Sequence, residues 1–131
     1  MNEDPPVILG IGVDIVAIER MARSLAEGDG RFEKQVFTGQ ERAACAGRAD
    51  RDQALAARFA AKEACLKALG TGWAQGLSFQ HVEVVEGEGG RPELRLSGAA
   101  AERAQALGVG HMHVTLSHDL TVAAAVVVLE T

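Results

Sequence analysis

Residues 50–70, DRDQALAARFAAKEACLKALG, constrain this chain more than any other stretch. Asp50 and Gln53 stand in capping-box spacing and Gly70 suits a left-handed C-terminal cap, so the segment reads as one long helix. At about 100° per residue, with Arg58 at zero, Leu55, Phe59, Leu66 and Leu69 fall between roughly 20° and 100°. Ala57, Ala60, Ala61, Ala64 and Ala68 occupy the remaining arc, where a neighbouring element can approach closely. Both sides need cover, so the rest of the chain must wrap this helix.

The flanking segments supply the wrapping. Leu9, Ile11, Val13 and Ile15 alternate with Gly10, Gly12 and Asp14, the pattern of a strand with a nearly bare second face. A helix is expected from Ala17 to Glu27, broken by Gly28-Asp29-Gly30, with a short helical turn over 31–37. Thr38 and Glu41 form a capping box that opens a helix over 39–46. Ser78–Val85 and Glu93–Leu96 read as strands around the turn at 87–92. Ser97 caps an alanine-rich helix ending at Gly108, and 112–116 with 121–129 close the chain as a hairpin around Ser117-His118-Asp119. The order β-α-α-α-β-β-α-β-β, with hairpin-linked strands, predicts an α+β fold: an antiparallel sheet packed on one long helix. Residues 1–131 are expected to form a single domain, with 1–6 as a loose N-terminal tail.

Composition narrows the function. The net charge of −5 disfavours nucleic acid as a partner of the whole chain, although Arg20, Arg23, Arg31 and Lys34 cluster near the start. That cluster is either a solvated face or a dock for an acidic partner. The longest apolar run, 122–129, is too short to span a bilayer. The acidic, proline-containing N-terminus is unlike a secretory leader, and Cys45 and Cys65 show neither disulfide nor metal spacing, so a cytoplasmic protein is expected.

Arg58, Lys62, Glu63 and Lys67 do not segregate to one wet face of the long helix. Arg58 and Lys62 lie at and within the apolar stripe; Glu63 and Lys67 lie beyond its other side. Snorkelling accounts for the first two, and an i, i+4 pair accounts for the last two. A single account for all four is an anionic ligand carrying a metal, with the carboxylate on the metal and the cations on phosphate oxygens. Asp14, beside glycines at the end of a strand, is the best second carboxylate; its competing role is an N-cap. Gly10-Ile11-Gly12 lacks the third glycine and the βαβ setting of a dinucleotide fingerprint. Ser117-His118-Asp119 is not read as a hydrolytic triad, because adjacent residues point apart.

Three stretches then carry a resemblance: Gly10–Ile15 with Ile18 and Arg20; Arg58–Ala64 through Lys67 with Gly70-Thr71-Gly72; and Ser117-His118-Asp119 with the strand behind it. Together with the weaker Phe37-Thr38 and Glu41 match, they resemble the holo-acyl-carrier-protein synthase family, the short 4′-phosphopantetheinyl transferases. The resemblance implies transfer of 4′-phosphopantetheine from coenzyme A to a serine of apo-acyl carrier protein, with Mg²⁺, releasing adenosine 3′,5′-bisphosphate. It implies a homotrimer with active sites between subunits. Asp14 and Glu63 would be the metal ligands and, with Lys67, the catalytic set. Arg58, Lys62, Gly70, Thr71, Gly72, Gly90, Arg91, Pro92 and His118 would bind coenzyme A, with Arg91 standing where the family has lysine. Arg20, Arg31 and Phe32 would face the acidic carrier protein, which implies salt-sensitive docking. Either a metal-bound water or Glu63 would serve as base. The alternative is a non-catalytic coenzyme A or nucleotide-binding module, which needs the cations but not both carboxylates.

Overall fold

The computed structural model describes residues 4–72 and 76–131; positions 1–3 of the expected tail lie outside them, and Asp4–Pro6 are exposed without regular structure. The strands are β1 (Ile8–Ala17), β2 (Val82–Glu86), β3 (Pro92–Leu96), β4 (His111–His118) and β5 (Val122–Glu130). The helices are α1 (Ile18–Ala26), α2 (Arg31–Val36), α3 (Gly39–Cys45), α4 (Arg51–Leu69) and α5 (Gly98–Leu107). The segment over 31–36 is thus a helix in its own right, one more than the sequence order counted.

The α+β expectation is met, with the strands divided into two antiparallel sheets. One has the order β1-β5-β4; the other is the β2-β3 hairpin. Helix α4 runs beneath the larger sheet and is the hub of the core. Its alanine arc and its leucine stripe are both buried, as the sequence requires. Gly70 ends it in the left-handed conformation, where its N–H bonds back to Leu66 and Lys67.

Strand β1 turns its bare face inward. A Cβ at Gly10 or Gly12 would overlap the carbonyls of Ala68 and Ala64, so the glycines let the strand lie directly on α4. Ile11, Val13 and Ile15 consequently face outward and are 61%, 54% and 67% exposed. The alternation was legible, but hydrophobicity alone assigns the two faces the wrong way round. Here close backbone packing outweighs side-chain burial.

Local capping also departs from sequence expectation. Thr38 and Glu41 form the full capping box. Asp50 makes no side-chain cap to α4, because Arg48 holds both of its carboxylate oxygens at 2.8 and 3.0 Å. Ser97 makes none to α5 either. Ser78 opens a single 3-10 turn over Phe79–His81 before β2 begins, so the strand starts at Val82.

Candidate active site

The four charges of α4 fall into three environments. Glu63 and Lys67 line a cleft of about 520 Å³ together with Asp14, Arg20, Met21, Phe32 and Phe59. The glycine face of β1 creates this meeting. Gly12 lies against α4 at Ala64, and Asp14, next on the same face, arrives beside Lys67. The Lys67 ammonium donates to Asp14 Oδ1 at 3.0 Å and to the Val13 carbonyl at 2.9 Å. Asp14 is not the N-cap of α1; Ala17 occupies that position. Asp14 is therefore free of the competing structural role that the sequence left open.

Arg58 faces a second cavity of about 200 Å³, shared with Arg48, Glu86, Gly90, Pro92 and His118. Arg58 is 6% exposed. Nη1 donates to the Ala54 carbonyl at 3.2 Å, and Nη2 stands 3.9 Å from Glu86. Its buried Nε has no hydrogen-bond partner among the described residues. Native proteins rarely leave a buried charged donor unsatisfied, so this cavity is chemically suited to an anion. His118 Nε2 lies 3.8 Å from Asp50 at its rim. Asp119 does not join His118 in a relay. Its Oδ1 accepts from the Thr121 and Val122 N–H groups at 2.7 and 2.8 Å and shapes the hairpin turn. Those backbone bonds hold its pKa below 3.8.

Lys62 lies in neither cavity. It is completely buried and pairs with Glu41 at 2.7 Å. Lys62, expected at a coenzyme phosphate, is thus an ammonium sealed inside the protein and paired with a carboxylate of its own chain. Gly70 caps α4, Thr71 and Gly72 follow it, and none of the three lines either cavity. Arg91 lines a separate groove with Glu93, Met112 and His113, while its neighbours Gly90 and Pro92 line the Arg58 cavity. Among the proposed docking residues, Arg20 and Phe32 border the Asp14 cleft; Arg31 lines a surface hollow with Lys34.

Sequence reasoning missed Arg48, which the turn between α3 and α4 brings into the Arg58 cavity. It read Glu41 only as a cap and missed the pairing with Lys62, since no periodicity links residues of two different helices. Phe59 was assigned to the core stripe. It also forms the cleft wall, between Phe32 at 6.2 Å and Phe79 at 5.2 Å, ring centre to ring centre.

Known proteins resemble this chain in sequence and in fold. The sequence pattern of the 4′-phosphopantetheinyl transferase superfamily matches residues 10–125. A holo-[acyl-carrier-protein] synthase of Methylobacterium radiotolerans is 49% identical over 128 residues, covering 95% of this chain and 94% of its own. One from Methylobacterium nodulans is 51% identical over 128 residues, covering 95% and 97%. Among solved structures, the holo-[acyl-carrier-protein] synthase of Neisseria meningitidis matches with a TM-score of 0.87 at 30% identity, over 95% of this chain and all 100% of that one. The Bacillus anthracis enzyme, solved in complex with CoA (3′,5′-ADP), matches with a TM-score of 0.78 at 34% identity, over 95% and 97%. The chain belongs to the 4′-phosphopantetheinyl transferase superfamily and, within it, to the holo-[acyl-carrier-protein] synthases.

Proposed function

We propose that residues 1–131 act as one transferase domain that moves 4′-phosphopantetheine from coenzyme A to a serine of apo-acyl carrier protein, with Mg²⁺, and releases adenosine 3′,5′-bisphosphate. The carrying observation is that Asp14, Glu63 and Lys67, from two elements far apart in sequence, line one cleft. The relatives named above support the substrates.

The cleft suits a hard divalent cation. Its two carboxylates are oxygen donors, and Mg²⁺ needs only one or two of these beside phosphate and water. No group of three His, Cys, Asp or Glu side chains gathers for a metal among the described residues, which favours a cation shared with substrate over a closed protein cage. Asp14 and Glu63 would hold it. Bound there, it would offset negative charge on the pyrophosphate as the serine oxygen attacks the β-phosphorus and the bridging oxygen departs. Lys67 then adds a mobile donor for the non-bridging oxygens. Arg58 and His118, with Gly90 and Pro92 alongside, bind the nucleotide end. Arg20 and Phe32 receive the acidic carrier beside the cleft.

The same reading includes a homotrimer with sites between subunits. The Asp14 cleft flanks β1 and the Arg58 cavity flanks the end of β4, at opposite edges of one sheet. The sheet's outer surface exposes Ile11, Val13, Ile15 and Val126. A head-to-tail ring of copies covers that apolar surface and brings one copy's cleft to the next copy's cavity. Light scattering should then give three times the 13.7 kDa chain mass. A cytoplasmic setting is retained as part of the proposal. Separately, no helix among the described residues is long and apolar enough to cross a membrane.

The decisive experiment incubates the protein with apo-acyl carrier protein, coenzyme A and Mg²⁺ and weighs the carrier by intact mass spectrometry. The carrier should gain one phosphopantetheine unit, and chelation should prevent the gain. A carrier of unchanged mass, with coenzyme A still bound by the protein, would leave only a binding module.

A further inference from the structure

The buried Lys62 ammonium has three hydrogens and meets three acceptors: Glu41 Oε1 at 2.7 Å, the Val82 carbonyl at 2.6 Å and the Phe79 carbonyl at 3.1 Å. Glu41 is equally sealed and equally satisfied. Its Oε1 also accepts from the Thr38 N–H at 2.9 Å, and its Oε2 accepts from the Val84 N–H at 2.8 Å. One ion pair therefore ties together the start of α3, the middle of α4, the 3-10 turn before β2, and β2 itself.

Stability alone is a weak reason for such a pair. Removing two charges from water costs so much that apolar residues of similar volume often serve as well or better. What the pair supplies, and apolar packing lacks, is direction. Hydrophobic contact is non-directional, and a helix can slide or rotate on it. The Lys62 and Glu41 bonds fix both the rotation of α4 and its register against β2.

The tie sets the spacing between each copy's own cleft and cavity, and round a symmetric ring that spacing fixes where one copy's cleft meets the next copy's cavity. Lys62 immediately precedes Glu63, which faces the Asp14 cleft. Strand β2 carries Val84, Val85 and Glu86, which line the Arg58 cavity with Gly90 and Pro92 of the same hairpin. The network thus stands in the wall between the carboxylate cleft and the nucleotide cavity.

We propose that Glu41 and Lys62 are positioning residues for phosphopantetheine transfer: they hold the β2–β3 hairpin in register with α4, so that in the ring a coenzyme bound against one copy's hairpin is aligned for Glu63 and Lys67 of the neighbouring copy. This rests on the transferase reading above. Neither residue touches substrate. A misplacement of about 1 Å can cost on the order of 100-fold in rate, so even a slight loss of register matters.

The test compares the double variant Glu41→Leu/Lys62→Met and the single variant Glu41→Asp with the parent, measuring thermal midpoint, kcat and KM for coenzyme A. The double variant should melt below the parent, because the Thr38 and Val84 N–H groups and the Phe79 and Val82 carbonyls lose their partners, yet still fold cooperatively, because both charges leave together. Its kcat should fall by on the order of 100-fold with KM for coenzyme A little changed, the pattern of lost alignment rather than lost binding. Glu41→Asp keeps both charges and shortens one arm by a methylene; its kcat should fall by on the order of tenfold. A folded double variant with the parent's kcat overturns the proposal, as does a Glu41→Asp variant with the parent's kcat. A double variant that cannot fold overturns it too, since the pair would then be a requirement of the fold itself. An inactive parent would instead sink the transferase reading, so the two failures are distinguishable.

Discussion

The Asp14 cleft and the Arg58 cavity hold similar residue types in opposite states. In the cleft, Lys67 is 53% exposed and already in contact with Asp14, so charge is balanced within the chain and open to water. In the cavity, Arg58 is almost wholly buried, its Nε is unpartnered, and its nearest carboxylate stands 3.9 Å away. A wet ion pair contributes at most about 1 kcal/mol to folding and is easily rearranged around a ligand. A dry, half-satisfied guanidinium carries a standing cost that an anion can relieve. The first environment suits chemistry in which charges must shift; the second suits fixed binding of a phosphate. The two regions should therefore respond differently to mutation.

The largest effect should fall on what the cleft is built from rather than on its charges. Gly12→Val would drive a side chain into the Ala64 carbonyl and push β1 off α4. A loss above about 4 kcal/mol is expected, read as loss of the cooperative unfolding transition. An intact transition would mean that the strand can lift away cheaply and that the glycine face does not set the position of Asp14.

Next comes the cleft itself. Asp14→Ala should lower transfer by about 10²–10³-fold, the scale of a lost electrostatic contact to a transition state. The thermal midpoint should barely move, because only the partly exposed pair with Lys67 is lost. Arg58→Met should invert that pattern. KM for coenzyme A should rise by about 10–100-fold, the scale of a hydrogen bond to a charged group. The thermal midpoint should stay or rise, since an unsatisfied buried donor is removed. If Arg58→Met lost stability and left KM unchanged, the cavity would be part of the core and not a binding site.

How far the sequence foretold this depends on the kind of signal. The long helix, its two buried sides and the Thr38–Glu41 cap are local patterns, and local patterns were readable. The convergence of Asp14 with Glu63 was inferred from chemistry and is supported by a shared cleft. The grouping of Arg58, Lys62, Glu63 and Lys67 around one ligand was not readable as it stands. Helical angles place residues around an axis but do not say which neighbour lies at each angle. A strand covers the arc near Glu63, a hairpin that near Arg58, and Glu41 meets Lys62 between them. The outward orientation of β1's apolar face was not readable for a related reason: its partner surface, a helix backbone pressed against glycines, is invisible to a hydrophobicity pattern.

The smallest expected effect tests how the Arg58 cavity keeps His118 in place. Asp119 organises the turn beside His118 by accepting three bonds at Oδ1, from the Thr121 and Val122 N–H groups and the Thr121 hydroxyl. These bonds favour the carboxylate, so its folded pKa lies below the ordinary 3.8. A depressed carboxylate contributes stability that is fully present above the unfolded value and disappears as pH falls through the folded one. Asp119→Ala should therefore melt below the parent at neutral pH, and the gap should narrow as pH drops past about 3.8 and close once both states are protonated. Because the turn adjoins the Arg58 cavity and not the Asp14 cleft, the same variant should raise KM for coenzyme A slightly and leave kcat alone. A drop in kcat without a change in KM would mean that the hairpin turn acts on the transfer step, and the division of labour between cleft and cavity would have to be redrawn.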